Sequence, residues 1–276
     1  MSTALSRGAV SFVEVDGRPV RVMHLNAGAG NPLVLINGIG APIEMWQVFI
    51  EQVDDRELVL LDLPGCGLSP VPRIPMRMPG IATVVVRVMD ALDLKSPDVL
   101  GYSFGGVVAL ELAHRFPDRV RRLVLASTLP GSPSVAPHPA VFAMMLNPLR
   151  YYNRRAAELI IPHIAGGRTA RDTARMRSDI ALRQTHPPSL RGYTYQLLAI
   201  STFTSWPWLH RLPHRTMVVH GRADPVSPVL NARLMSATLP NAQLHIVPGA
   251  GHLLLLDDPT VVTPAILDFL GSNSDE

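Results

Sequence analysis

One serine of the chain carries the residue pattern of a nucleophile. Ser103 lies between Gly101 and Gly105 in the segment GYSFGG, after a short apolar run and before a helical pattern. A serine on a sharp strand-to-helix turn needs small residues two positions before and after it, because its strained backbone crowds those positions. The pattern therefore predicts a nucleophile elbow, with Ser103 at a helix N-terminus that favours developing negative charge. A glycine-rich turn with a surface serine is the simpler alternative.

A serine hydroxyl becomes a nucleophile when a base accepts its proton and a carboxylate orients that base. On an elbow of this kind the chain order is serine, acid, histidine. Asp224 in HGRADPVSP and His252 in PGAGH follow two late predicted strands, at the sheet edge where Ser103 is expected. We therefore predict Ser103 as nucleophile, Asp224 as acid and His252 as base. Taken alone, Asp224 is more simply explained as a turn aspartate before proline.

Acyl transfer also needs two backbone donors for the oxyanion of the tetrahedral intermediate. Phe104, directly after the serine, supplies one N–H group. The other is expected in the loop NGIG at residues 37–40, which follows a short apolar strand. We assign it to Ile39, with Gly40 as the alternative.

The remaining candidates for chemistry are weaker. Asp62 precedes the serine, and Asp257 and Asp258 follow His252 closely, so these three are fallback carboxylates. Cys66, the single cysteine, has no histidine beside it in sequence, and we expect no nucleophilic role for it. The chain has no C-x-x-C or H-E-x-x-H spacing, and its NAGAGNP segment lacks the third glycine of a dinucleotide site. We therefore predict no metal and no cofactor.

Alternating strands and helices must position these residues. An antiparallel hairpin is predicted over residues 9–26 around an Asp-Gly turn, and the later strands are short apolar runs typical of a buried parallel sheet. The later strands are predicted at residues 32–36, 57–63, 98–102, 120–127, 216–220 and 243–247, and the helices at 44–53, 79–94, 104–115, 228–239 and 260–270. Ser227 and Pro228 are expected to cap the fourth of these helices. The spacing predicts an α/β fold, a mostly parallel sheet with helices on both faces.

Four prolines between residues 130 and 139 interrupt this alternation, and the helix-like segment that follows lacks a convincing strand. We predict a helical cap, or lid, at residues 131–212, inserted into a core formed by residues 1–130 and 213–276. The lid has ten arginines and three acidic residues, a net charge of +7, whereas the whole chain has +3. Such a lid could face an anionic or amphiphilic surface, although a solvated helical face is the commoner reason.

Four apolar side chains of the lid are candidates for substrate binding. They are Met144, Met145, Trp206 and Trp208. Methionine and tryptophan offer adaptable or extended apolar surface to an alkyl chain. Ordinary packing inside the lid is the alternative for each of them.

Composition limits where and with what the chain acts. Of its 276 residues, 47% are hydrophobic and 17% charged, enough apolar content for a large packed domain. The N-terminus lacks a basic segment followed by an apolar run, and no stretch approaches the roughly eighteen apolar residues of a membrane span. We therefore expect a cytoplasmic protein without a transmembrane segment and without a nucleic-acid partner.

The segments NGIG, DLPGCGLS, GYSFGG, GRADPVSP and GAGH together resemble an α/β-hydrolase with a helical lid, over nearly the whole chain. Within that superfamily, LINGIGAPIEMW, MMLNPLRYY, GYTYQLLAISTFTSWPWLH and NARLMSATLPNAQLHI are similar to the intracellular medium-chain-length poly(3-hydroxyalkanoate) depolymerases. The resemblance implies the same nucleophile, acid, base and oxyanion donors. It also makes a hydrophobic granule surface a candidate partner.

The chain departs from these depolymerases at two positions and from many other hydrolases at a third. Tyr102 and Phe104 stand where those depolymerases carry a smaller residue and a tryptophan, and Asn37 stands where many hydrolases carry histidine. The first departure concerns the pocket wall, and therefore polymer specificity, without weakening the predicted triad.

The expected function is that of a serine carboxylic-ester hydrolase with an acyl-enzyme mechanism, similar to a poly(3-hydroxyalkanoate) depolymerase or a medium-chain acyl esterase. Its substrate would be a small or polymeric ester. Three alternatives stay open. A cofactor-free perhydrolase and a carbon–carbon bond hydrolase use the same triad, and a non-catalytic ligand-binding protein could keep the fold.

Overall fold

An eight-stranded sheet forms the centre of the computed structural model, which describes residues 8–271. The strands are β1 (Ala9–Val15), β2 (Arg18–Leu25), β3 (Leu33–Ile36), β4 (Leu58–Leu61), β5 (Asp98–Tyr102), β6 (Arg122–Ala126), β7 (Arg215–Gly221) and β8 (Ala242–Val247). Their spatial order is β1-β2-β4-β3-β5-β6-β7-β8. Strand β2 pairs antiparallel with β1 and with β4. The remaining neighbours, β4-β3, β3-β5, β5-β6, β6-β7 and β7-β8, pair in parallel. The predicted α/β fold is confirmed.

Helices cover both faces of the sheet. In chain order they are α1 (Gln47–Ile50), α2 (Met78–Ala91), α3 (Phe104–Arg115), α4 (Pro139–Leu146), α5 (Arg154–Ala165), α6 (Thr173–Arg183), α7 (Leu190–Ser201), α8 (Val229–Thr238), α9 (Leu254–Asp257) and α10 (Pro259–Gly271). The side chains of α2 and α3 fill one hydrophobic layer, in which Val85 and Val108 belong to the same core cluster as Val34 of β3. Those of α1 and α10 fill the other, where Phe49 and Phe269 join the same core as β3. Strands buried on both sides explain the continuous apolar runs LVLI and LVLL.

Two local predictions need correction. The helix predicted at residues 44–53 is a 3-10 turn, Ile43–Trp46, followed by the single turn of α1. Ser227 does not cap α8, because Pro228 is the N-cap residue and the Ser227 hydroxyl donates to the Thr128 carbonyl at 3.0 Å. The hydroxyl therefore ties this loop to the end of β6.

The segment between β6 and β7 contains the helices α4 to α7 and rises from the carboxyl edge of the sheet. Its two ends meet, since Gly131 forms a β-bridge with Thr204 and Ser132 N–H donates to the Phe203 carbonyl at 2.8 Å. Within residues 8–271, no helix combines the length and the apolar character that a membrane crossing requires.

Much of the positive charge of this segment is used internally. Arg150 is buried and donates to the Met145 carbonyl at 2.8 Å, and Arg183 is buried in an ion pair with Asp179 at 2.6 Å. Other arginines of this segment pair with carboxylates, namely Arg154 and Arg177 with Glu158, Arg168 with Asp258, and Arg175 with Asp172. Arg150 and Arg183 therefore stabilise the segment from inside. They belong neither to a binding surface nor to a solvated helical face.

Candidate active site

The turn between β5 and α3 has the strained geometry of a nucleophile elbow. Ser103 adopts φ 53° and ψ −117°, a conformation that L-residues rarely adopt. Its N–H donates to the Ala126 carbonyl at 2.8 Å, and its carbonyl accepts from the Thr128 hydroxyl at 2.7 Å, so the neighbouring strand holds the turn from both sides. Glycine is required at position 105, because a β-carbon there would collide with the Ile36 carbonyl.

Three loops bring the predicted serine, histidine and acid into one row. His252 Nε2 lies 3.1 Å from Ser103 Oγ, and His252 Nδ1 lies 2.9 Å from Asp224 Oδ2. The Asp224 side chain is fully buried, and its Oδ1 accepts from the backbone N–H groups of Val226 at 2.8 Å and Ser227 at 2.9 Å. Because those donors fix Oδ1, Oδ2 is the oxygen that faces the imidazole. The row of contacts can move a proton from the serine hydroxyl to the histidine.

A second histidine contacts the acid. His220, at the end of β7, is fully buried, and its Nε2 lies 3.3 Å from Asp224 Oδ2 and 2.7 Å from the Ser227 carbonyl. Burial lowers the pKa of His220 below its ordinary value, so the neutral imidazole is favoured and its Nε2–H is a donor. The sequence indicated only a structural histidine here. The sequence feature that could have indicated this contact is the separation of four residues between His220 and Asp224, across a tight turn.

The segment between β6 and β7 helps to hold the histidine. His252 N–H donates to the Ala165 carbonyl at the end of α5, at 2.6 Å. Asp257 then joins the two parts, because its Oδ2 accepts from Gly251 N–H at 2.6 Å and its Oδ1 accepts from the Thr169 hydroxyl at 2.7 Å. Asp257 is therefore a structural carboxylate that fixes the loop before His252.

The other two fallback carboxylates are also engaged elsewhere. Asp62 is fully buried and lies 3.3 Å from the guanidinium of Arg21, and burial raises the pKa of its carboxyl. Asp258 forms an ion pair with Arg168, which follows α5. Asp224 is the acid that contacts His252.

The predicted oxyanion donors lie beside the serine. The alternative donor Gly40 gives its N–H to Gln196 Oε1 at 2.9 Å, so that group is already bonded. Within residues 8–271, no hydrogen bond engages the N–H of Ile39 or of Phe104. These two groups therefore remain available to a developing negative charge near Ser103.

A cavity of about 50 Å³ adjoins the serine. Its apolar lining includes Ile39, Met145, Tyr151, Ile164, Val226 and Leu253, and Ser103 and His252 open onto it. Met145 lines this cavity, whereas Met144 does not line it and packs against the neighbouring hydrophobic cluster around Ile161.

The assignment of the two tryptophans to substrate binding needs correction. Trp208 stacks on His114 of α3 with ring centroids 4.0 Å apart, and the indole N–H of Trp206 donates to the Pro133 carbonyl at 2.6 Å. Both pack against the hydrophobic core and lie outside the lining of the cavity at Ser103. An aromatic residue in this segment predicts contact with other apolar side chains, but the sequence does not show which ones.

Tyr102 contributes a contact that the sequence did not predict. Its hydroxyl donates to the His252 carbonyl at 2.7 Å, and its ring lies 5.6 Å from the imidazole. Loss of hydration raises the pKa of this phenol well above its ordinary value, so it stays a protonated donor.

Cys66 has no part in this site. It is buried, its Sγ contacts Gln196 Nε2 at 2.9 Å, and burial raises the pKa of its thiol to about 12. A thiol of this kind is not a nucleophile at neutral pH.

Comparison with known proteins places this geometry in context. Residues 31–259 match the family model of the alpha/beta hydrolase fold. The chain is 39% identical to the poly(3-hydroxyalkanoate) depolymerase of Ectopseudomonas oleovorans over 94% of this chain and 91% of that protein. It is 28% identical to the 2-hydroxymuconate semialdehyde hydrolase of Pseudomonas sp. (strain CF600), over 93% of each chain. The crystal structure of a hydrolase from Pseudomonas aeruginosa PA01 superposes with a TM-score of 0.82 at 25% identity, covering 95% of this chain and 98% of that one.

Proposed function

Because this chain belongs to the alpha/beta-hydrolase family, we propose that it is a serine carboxylic-ester hydrolase that works through an acyl-enzyme. One observation carries the proposal. Ser103 Oγ, His252 Nε2 and Nδ1, and Asp224 Oδ2 form an unbroken row, with contacts of 3.1 and 2.9 Å.

In the first half of the reaction, Ser103 Oγ attacks the ester carbonyl carbon as its proton moves to His252 Nε2. Asp224 holds the Nδ1–H and offsets the charge of the imidazolium. The carbonyl oxygen, now negative, accepts from Ile39 and Phe104 N–H, and losing one such donor costs about a hundredfold or more in kcat. His252 then returns its proton to the leaving alkoxide, and the carbon–oxygen bond of the ester breaks.

In the second half, the same groups act on water. His252 removes a proton from a water molecule, whose oxygen attacks the acyl carbon bound to Ser103. Collapse of the second tetrahedral intermediate, with proton return to the serine oxygen, releases the acid and restores the enzyme.

For the substrate, we propose medium-chain acyl esters, including poly(3-hydroxyalkanoate). The 39% identical relative supports this, since its name is poly(3-hydroxyalkanoate) depolymerase. The cavity also supports it, because side chains such as Met145, Ile164 and Leu253 favour an alkyl group over a charged one. We further propose that residues 131–212 act as a lid over this cavity, the remainder forming the core, and that a hydrophobic granule is a partner.

A second candidate function is carbon–carbon bond hydrolysis. The observation that favours it is the 28% identity to a 2-hydroxymuconate semialdehyde hydrolase across nearly the whole chain. The same nucleophile, base and acid would serve it. Turnover of a vinylogous diketone with no turnover of esters would select this function.

The deciding experiment compares p-nitrophenyl esters of graded chain length with dispersed medium-chain polyhydroxyalkanoate. We expect a preference for medium over acetyl chains, release of hydroxyacids from the polymer, and loss of both activities in Ser103→Ala. A preference for acetate without hydroxyacid release would reject the depolymerase assignment. Full ester turnover by Ser103→Ala would reject the mechanism.

A further inference from the structure

Two separate cavities lie on the two sides of Tyr102. One is the cavity of about 50 Å³ beside Ser103, and the other has about 40 Å³. Asn37, Met45, Tyr102 and Leu253 line both of them, so these shared side chains separate the two spaces. Tyr102 has the largest side chain of the four.

The second cavity is built to hold an apolar group. Its lining includes Met45, Trp46, Phe49, Leu182 and Leu256. Its one carboxylate, Asp179, is balanced by Arg183 through contacts of 2.6 and 3.2 Å, so the lining carries no uncompensated charge. An alkyl chain could enter this space without burying an unpaired ion.

Tyr102 is fixed in its position between the cavities. Its hydroxyl is held by the His252 carbonyl at 2.7 Å. Its ring packs edge-on against Trp46 at a centroid distance of 6.3 Å, and its other neighbour is the His252 ring at 5.6 Å. A rotation of the Tyr102 side chain that opened the second cavity would break the hydrogen bond and the aromatic contacts together. Tyr102 therefore forms a fixed wall between the two cavities.

We propose that Tyr102 is a specificity-determining residue that ends the substrate cavity and thereby sets the length of the apolar chain the enzyme accepts. The inference rests on the proposed ester hydrolysis at Ser103. Burial of one methylene favours binding by a factor of about four, so a chain that reaches the second cavity by about two methylenes would gain roughly fifteenfold.

The test is the substitution Tyr102→Val, which shortens the wall and keeps a strand-forming residue at the end of β5. The measured quantity is the ratio of kcat/KM for an ester about two methylenes longer than the best wild-type substrate to kcat/KM for that best substrate. Two series are used, p-nitrophenyl esters of graded acids and acetates of graded alcohols, because the cavity could receive either side of the ester. We expect the ratio to rise roughly fifteenfold in one series.

Two further variants separate chain length from catalysis. Tyr102→Phe removes the hydrogen bond to His252 and keeps the ring, so its ratio should equal that of the wild type whatever happens to kcat. Adding Leu182→Phe to Tyr102→Val fills the second cavity and should cancel the gain. The wall is refuted if Tyr102→Phe shifts the ratio as much as Tyr102→Val, or if Leu182→Phe leaves the gain intact.

A fluorophosphonate probe keeps this inference distinct from the proposed function. If Tyr102→Val is labelled at Ser103 like the wild type but its ratio is unchanged in both series, only the wall is wrong. If the wild type neither reacts with the probe nor cleaves esters, the proposed function itself fails. If Tyr102→Val does not react with the probe, the single variant Leu182→Phe provides the test. If Tyr102 closes off the second cavity in the wild type, filling that cavity leaves the kcat/KM ratio unchanged, and any change in the ratio overturns the proposal.

Discussion

The substitution Asp224→Asn tests how the acid acts, because it replaces one acceptor oxygen by a donor at nearly constant size. The carboxylate accepts on Oδ1 from the N–H groups of Val226 and Ser227, at 2.8 and 2.9 Å, and faces His252 with Oδ2. If the amide nitrogen faced the two backbone groups, two buried donors would lose their acceptor, at about 1–3 kcal/mol each. We therefore expect the amide nitrogen to face His252.

That orientation fixes the wrong tautomer of the base. With an amide N–H group in the place of Oδ2, the imidazole in Asp224→Asn must accept at Nδ1 and therefore carries its proton on Nε2. Nε2 then donates to Ser103 Oγ, 3.1 Å away, and cannot take its proton. The corresponding change in a serine protease lowers kcat by about 10⁴. The same loss here corresponds to about 5 kcal/mol in the activation barrier.

The assay is steady-state kcat on the preferred p-nitrophenyl ester, with thermal unfolding to establish that the variant is folded. Asp118→Asn is the matched control, since Asp118 is exposed in the 3-10 turn after α3 and should leave kcat unchanged. A folded Asp224→Asn enzyme with kcat within about tenfold of the wild type would refute the tautomer argument.

Three other predictions concern stability and reactivity. Gly105→Ala should unfold at a clearly lower temperature and lose ester hydrolysis, because its β-carbon would collide with the Ile36 carbonyl, and an unchanged melting temperature would contradict this. Burial lowers the pKa of His220 below its ordinary 6.5, so the unfolded chain binds this proton first as pH falls. The free energy of unfolding in urea should therefore decrease below about pH 6.5, and decrease less in His220→Gln; equal slopes would reject the assignment. Iodoacetamide should modify Cys66 slowly in the folded protein and quickly in urea, because burial raises the pKa of its thiol to about 12; fast modification of the folded protein would contradict its burial.

The sheet was predictable because its signals are local. Parallel strands buried on both faces must be short apolar runs, and β3 and β4 show this directly in sequence. The elbow was predictable for a related reason, since the φ of 53° at Ser103 and the close approach at Gly105 each require particular residues. The loops that carry Asp224 and His252 followed from chain order.

Contacts between distant segments were not predictable in the same way. The hydrogen bond from Tyr102 to the His252 carbonyl joins residues 150 apart, and no local pattern records it. Trp208 was expected to bind substrate but packs on His114. The residue type indicates an apolar contact and does not indicate which residue makes it. The turn at Ile43–Trp46 has helical spacing in sequence, yet it lacks the length for a regular helix.

The most direct test of the central claim is reaction with a fluorophosphonate, followed by peptide mapping. The geometry predicts one adduct per chain, on the peptide that contains Ser103, with none formed by Ser103→Ala and a much slower reaction in His252→Ala. An unreactive wild-type protein, or an adduct on another residue, would contradict the claim that Ser103, His252 and Asp224 form a working nucleophile.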